Sequence, residues 1–183
     1  IRLVEYTNRG DHALENFKAM RKVVDKQMSG LLLGIGTIKT KKQAKKFIDA
    51  GADFVVAPSL NKEVGKICNE SDLLWIPGCM TPSEIAMAEE EGAEIIKIFP
   101  GNLLGPEFIS SIKEIFPSVK FLVTGGVEAN ESNLRAWFKS GILAVGMGSK
   151  LLSRNMIEEG NSSGIKIAVE HTLRLIQQAQ TNN

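Results

Sequence analysis

Glu91-Gly92-Ala93-Glu94-Ile95 joins a helical pattern to an apolar run. The same kind of joint occurs at Ala50-Gly51-Ala52-Asp53-Phe54 and at Ser140-Gly141-Ile142-Leu143. Each places a glycine where a helix would end in a left-handed C-cap, and an apolar strand follows almost at once. A unit of strand, loop, helix and glycine turn that recurs this regularly predicts βα repeats and a parallel sheet. Strands are expected over 1–7, 31–36, 53–57, 73–77, 94–99, 120–124 and 142–146. Most are short, β-branched or leucine-rich, and bounded by Gly, Pro, Asn or Asp, as buried parallel strands usually are.

Helical patterns fill the intervals. Leu14, Phe17, Met20 and Val24 share one face behind an expected Asp11 cap. Thr40-Lys41-Lys42-Gln43 and Thr81-Pro82-Ser83-Glu84 have the form of capping boxes, with Pro82 suited to a first helical position. Pro106 is expected to start a helix bearing Ile109, Ile112 and Phe116 that Pro117 stops, and 164–179 reads as a closing helix.

Two architectures fit seven strands: an open doubly wound sheet or a (β/α)8 TIM barrel. No Gly-x-Gly-x-x-Gly follows the first strand, which removes the best support for a dinucleotide-binding sheet. The barrel is favoured because the polar residues described below gather where barrel chemistry sits. The chain has 183 residues, somewhat under the roughly 200 at which barrels begin, and it opens at Ile1 on a strand without Met. A first strand and a leading helix are therefore expected upstream of Ile1, and 1–183 is read as one N-terminally incomplete barrel domain.

With 43% hydrophobic residues the chain can bury one sizeable core. Its 22 Lys and Arg against 21 Asp and Glu, with no basic stripe, argue against a polyanion-binding surface, so nucleic acid is not an expected partner. No run approaches the roughly 20 apolar residues of a membrane helix, so no membrane partner is expected. Cys68 and Cys79 lack metal-ligand spacing. A reduced, cytoplasmic protein without metal is the expectation.

The functional face of a barrel is the C-terminal edge of its strands. Lys97 interrupts the apolar run Ile95-Ile96-Lys97-Ile98-Phe99-Pro100 near such an edge. Two readings stand side by side: a desolvated amine, whose neutral form can attack a ketone, or a side chain whose stem packs while its head snorkels to water. Glu5, Thr7 and Arg9 fall at i, i+2 and i+4 and point to one side of an extended strand, either the barrel interior or a solvated edge. Inside, Glu5 could shuttle protons and Arg9 could grip a carboxylate or phosphate. Thr124-Gly125-Gly126 and Gly146-Met147-Gly148-Ser149 end the last two strands, where glycine backbones and a short helix after Ser149 could meet an anion. His12 and His171 lie on helical patterns as surface or packing residues. Cys79 has no activating neighbour in sequence, and Trp75 and Trp137 read as core.

Taken together, Glu5-x-Thr7-x-Arg9, Gly36-Thr37, Ala57-Pro58, Ile76-Pro77-Gly78, Lys97-Ile98-Phe99-Pro100, Thr124-Gly125-Gly126 and Gly148-Ser149 span almost the whole chain. In that order they resemble the 2-keto-3-deoxy-6-phosphogluconate (KDPG) aldolase family, also called 4-hydroxy-2-oxoglutarate aldolase. The resemblance implies a cofactor-free, metal-free class I aldolase, commonly a homotrimer, acting on a small-molecule 2-keto sugar acid. It implies Lys97 as the imine-forming residue and Glu5 as general acid/base. It also implies Arg9 and Thr37 on the pyruvoyl carboxylate, Pro58 at the pocket, and Gly125, Gly126, Gly148 and Ser149 around a distal phosphate. Departures occur at Gly101-Asn102, where many relatives have Ala-Glu, at Ser59, where Gly is common, and at Gly10, where a small hydroxyl residue is common. The alternatives are a phosphate-binding barrel isomerase or synthase using the same glycines without an imine, or a sugar-phosphate-binding protein without catalysis.

Overall fold

A computed structural model of the chain describes residues 1–181. It divides into two compact units, Ile1–Lys97 and Ile98–Asn183, each an alternation of strands and helices. The first holds β1 (Leu3–Thr7), α1 (Ala13–Gln27), β2 (Leu32–Gly36), α2 (Lys41–Ile48), β3 (Phe54–Val56), α3 (Lys62–Glu70), β4 (Leu74–Ile76), β5 (Gly78–Cys79), α4 (Pro82–Glu90) and β6 (Ile95–Ile98), whose last residue opens the second unit. The second holds α5 (Gly101–Lys113), β7 (Lys120–Thr124), α6 (Glu131–Lys139), β8 (Ala144–Gly146), α7 (Arg154–Glu158) and α8 (Ser162–Thr181).

All seven expected strands form; 120–124 keeps its bounds and the other six are trimmed by a residue or two. The sequence reading missed the two-residue β5. Pro77 cannot donate a ladder hydrogen bond, so the strand run breaks there and resumes at Gly78. In the first unit β1, β2, β3 and β4 pair in that order, all parallel, with Thr7 opposite Gly36, Ile35 opposite Val55 and Val56 opposite Ile76. In-register ends put the loops at 8–12, 37–40 and 57–61 along one edge of this sheet. In the second unit β7 pairs β8 in parallel, with Thr124 opposite Gly146.

The period-3.6 faces do the packing. Phe17 and Val24 of α1, Ala44 and Phe47 of α2, and Val64 and Ile67 of α3 are buried with Leu33, Ile35 and Val55 of the strands. Phe17 meets the Phe47 ring edge-on at 5.4 Å. Gly65 of α3 lies over the Trp75 indole, where a Cβ would come within 2.5 Å of the ring, so the helix sits as low as a glycine permits. In the second unit Ile109, Phe121, Val123, Leu134, Trp137 and Phe138 are buried.

The glycines at the three joints adopt left-handed φ, +89° at Gly51, +84° at Gly92 and +91° at Gly141, as C-caps require. Thr81 and Glu84 form the complete capping box. Other caps differ from expectation. α1 begins behind His12 with no side-chain cap, so Asp11 does not cap it. Thr40 accepts from the Gln43 N–H at 3.2 Å, but the Gln43 side chain accepts from Lys39 and not from the capping residue itself. α5 starts at Gly101, ahead of Pro106. The chain leaves helical geometry at Gly105 (φ 73°, ψ 169°), and Pro106 reopens the helix. Phe116 lies past its end, still buried.

Candidate active site

In the first unit, Lys97 sits in β6 with its backbone N–H donated to the Pro77 carbonyl at 2.8 Å. It is therefore level with the residue just beyond the end of β4, at the loop edge of the sheet. The residue is 7% exposed, so its head is held inside the protein and not snorkelled into water. Burial pushes its amine pKa down from the usual 10.5, and Arg9 pushes the same way, while Glu5 partly offsets both.

Glu5 converges on the same place. Its backbone is in register with Gly34, yet its carboxylate lies against Gly36, two residues nearer the C-terminal edge. A Cβ on Gly36 would occupy the position of Glu5 Oε1, so the glycine makes the room in which this carboxylate rests. Burial raises the Glu5 pKa above 4.5, against the smaller lowering effects of Lys97 and Arg9. An acid raised by burial beside an amine lowered by burial is a pairing suited to proton transfer and nucleophilic attack. Arg9 is exposed at the start of the loop after β1 and is felt electrostatically by both. Of the three residues on this side of β1, Glu5 is half-buried while Thr7 and Arg9 are exposed, so the face turns inward at Glu5 and meets solvent toward the loop.

Thr37 follows β2 with φ +62°, a left-handed conformation that costs a β-branched residue energy and so needs neighbours to hold it. Pro58 lies in the loop after β3 and is partly buried. Gly78 lies directly against it: a Cβ there would come within 2.5 Å of the Pro58 carbonyl carbon and oxygen. The motifs Ala57-Pro58 and Pro77-Gly78 are thus two sides of one close backbone contact. Cys79 is 1% exposed and Cys68 is fully buried, and burial pushes both thiols up to about 12. His12 is exposed and pairs with Glu15 at 3.1 Å; His171 is exposed on α8.

The second unit holds the glycine turns. Gly125 and Gly126 have φ +85° and +73°. They pack on the start of α5: a Cβ on Gly126 would lie 2.8 Å from Asn102 Cα, and one on Gly125 3.1 Å from Asn102 Oδ1. Asn133 donates to the Gly126 carbonyl at 3.0 Å, and the Trp137 indole N–H reaches it at 3.4 Å. These supporting residues were not found from sequence. Asn133 looks like any polar helix position, and Trp137 reads as a packing residue, which it also is. Gly148 and Ser149 are exposed in a turn, with the Leu151 and Leu152 N–H groups donating to the Gly148 carbonyl at 2.8 Å. A short helix follows Ser149 as expected, but it starts at Arg154, capped by Ser153, so its N-terminus does not adjoin that turn.

Among the described residues no three His, Cys, Asp or Glu side chains gather to hold a metal, and no helix is long and apolar enough to cross a membrane.

Comparison with known proteins bears on the family and the fold. The family model described as "KDPG and KHG aldolase" matches residues 1–168. A 2-dehydro-3-deoxy-phosphogluconate aldolase of Treponema pallidum is 34% identical over 178 residues, covering 96% of this chain and 81% of that protein. A 2-dehydro-3-deoxy-6-phosphogalactonate aldolase of Escherichia coli is 32% identical over 130 residues, 70% of this chain and 62% of that one. A solved KDPG aldolase from Legionella pneumophila, with pyruvate captured at low pH as a covalent carbinolamine intermediate, superposes with a TM-score of 0.83 at 26% identity. It covers 96% of this chain and 81% of that one. The expected α/β fold of the TIM-barrel kind is the one found.

Proposed function

The chain belongs to the KDPG and KHG aldolase family, and from that premise we propose that Lys97 is its imine-forming residue and Glu5 its proton-transfer group. The protein is a lyase, a class I aldolase that cleaves a 2-keto-3-deoxy-6-phospho sugar acid to pyruvate and an aldehyde such as glyceraldehyde 3-phosphate. The observation that carries the assignment is a lysine amine and a carboxylate, both desolvated, brought together at the loop edge of the first unit.

The neutral Lys97 amine attacks the C2 ketone, and loss of water from the carbinolamine gives an iminium ion. The Glu5 carboxylate, directly or through water, takes the proton of the C4 hydroxyl. The C3–C4 electron pair flows into the iminium to give an enamine as the aldehyde leaves. Protonation at C3 by Glu5 and hydrolysis then release pyruvate and restore the free amine. Burial serves both groups: it holds more of the amine neutral, and by raising the Glu5 pKa toward the working pH it makes the carboxylate a stronger base that can afterwards return the proton. General acid–base help of this kind contributes about 10²–10⁴-fold.

Arg9 and Thr37 hold the pyruvoyl carboxylate beside the Pro58 loop, and the backbones of Gly125 and Gly126, with Gly148 and Ser149, hold the distal phosphate. The whole chain acts as one catalytic domain, in a cytoplasmic homotrimer. Relatives at 34% and 32% identity bear gluconate and galactonate names, so identity alone does not choose the stereochemistry at C4. The test is turnover of a panel of phosphorylated and unphosphorylated 2-keto-3-deoxy acids, with pyruvate read through a coupled dehydrogenase. Pyruvate release from at least one phosphorylated member, abolished in Lys97→Ala, is expected. Sugar-phosphate turnover without pyruvate would favour an isomerase or synthase, and binding without turnover a non-catalytic protein.

A further inference from the structure

Thr37 leaves β2 in a left-handed conformation, φ +62°, that a threonine does not hold without help. Two residues down, both polar groups of the Lys39 backbone are held by side chains from neighbouring helices. The Lys39 N–H donates to Gln43 Oε1 at 2.8 Å, and the Lys39 carbonyl accepts from Asn61 Nδ2 at 3.0 Å. Between the two, Ile38 is fully buried and donates its N–H to the Val56 carbonyl at 3.4 Å. Thr37 is thus bounded by the end of a strand on one side and by an anchored pair of residues on the other.

Asn61 does two separable things. Its Oδ1 caps α3, accepting from Glu63 at 3.0 Å and Val64 at 3.4 Å, while its Nδ2 reaches across to the Lys39 carbonyl. Capping alone would be served by Ser or Asp at this position. Only an amide side chain both caps α3 and donates to the loop after β2. We propose that Asn61 is a positioning residue: through the Lys39 carbonyl, with Gln43 on the opposite side of the same residue, it locks the strained Thr37 turn in the form that receives the substrate carboxylate. The inference rests on the proposed role of Thr37 in holding that carboxylate, and it assigns a second residue, from a different loop, to the same subsite.

The decisive variant is Asn61→Ser, which keeps a capping oxygen but has no donor able to reach Lys39. Expected is a KM for the 2-keto acid raised about 3- to 10-fold, the range of one hydrogen bond. The kcat should stay within about twofold, and the thermal midpoint should fall much less than in Asn61→Ala, which loses cap and donor together. Asn61→Gln, with the same donor on a longer stem, should recover part of the KM. Combining Asn61→Ser with Thr37→Ala separates this inference from the reading beneath it. If Asn61 acts through Thr37, the second substitution adds little to the KM of Thr37→Ala. An equal multiplicative rise in both backgrounds, or an unchanged KM in Asn61→Ser, overturns the positioning role. An unchanged KM in Thr37→Ala overturns instead the carboxylate-holding role of Thr37.

Discussion

Gly36 of β2 bears directly on Glu5 of β1: the space a side chain would take at 36 is the space the Glu5 carboxylate fills. The pairing is diagonal, since Glu5 is in register with Gly34, and the diagonal carries the carboxylate toward the strand ends where Lys97 lies. Gly36 lacks a positive φ, so an alanine there meets no backbone objection and acts only through the collision. Gly36→Ala is therefore expected to lower kcat at least tenfold by displacing the general acid/base. Far-UV circular dichroism should be unchanged and pyruvate should still form its imine. Kinetics beside a trapping assay check this; normal turnover in the variant would separate Glu5 from the chemistry.

The pH dependence of imine formation with pyruvate reports the Lys97 amine. Its half-maximal rate is expected below pH 10.5, because burial depresses the pKa. The neighbours move it in opposite directions. Glu5 raises the Lys97 pKa, so Glu5→Gln should shift the midpoint to lower pH; Arg9 lowers it, so Arg9→Gln should shift the midpoint higher. Shifts of the same sign in both variants would contradict the electrostatic account of the site.

Gly126→Ala should act on the other half of the substrate. The added Cβ meets Asn102 Cα at 2.8 Å, and the φ of +73° strains any L side chain, so the turn must move. Cost to stability should be about 1–3 kcal/mol. The KM of a phosphorylated substrate should rise about tenfold, while imine formation with pyruvate, which has no phosphate, stays within about twofold. Equal losses with both ligands would remove the glycine turn from phosphate binding.

Both thiols should be silent in the folded protein. Cys68 and Cys79 are buried with pKa values pushed up to about 12, so thiolate is negligible at neutral pH. Iodoacetamide at pH 7.5 should leave mass and activity unchanged, and both cysteines should label once the chain is unfolded.

Much of this was legible from residues alone. Strand positions followed from short apolar runs, and the joints at Gly51, Gly92 and Gly141 followed from C-cap chemistry, because these are local signals. Lys97 could be singled out as a charge in an apolar strand, but whether its head was buried or snorkelled depended on what packs over it, which only the fold decides. The same limit explains what was missed. β5 is a two-residue continuation beyond a proline, too short to leave a pattern. Gln43 reads as the last residue of a capping box, and its actual partner is Lys39. Asn61 caps α3, and its second bond spans 22 residues, a separation no local rule can see.

The most direct measurement is imine trapping. The protein is incubated with pyruvate, reduced with borohydride, digested and mapped by mass spectrometry. The account predicts one reduced pyruvyl group per chain, on Lys97, and none in Lys97→Ala. No adduct under conditions that trap an established imine enzyme, or an adduct on another lysine with Lys97→Ala still trapped, would contradict it.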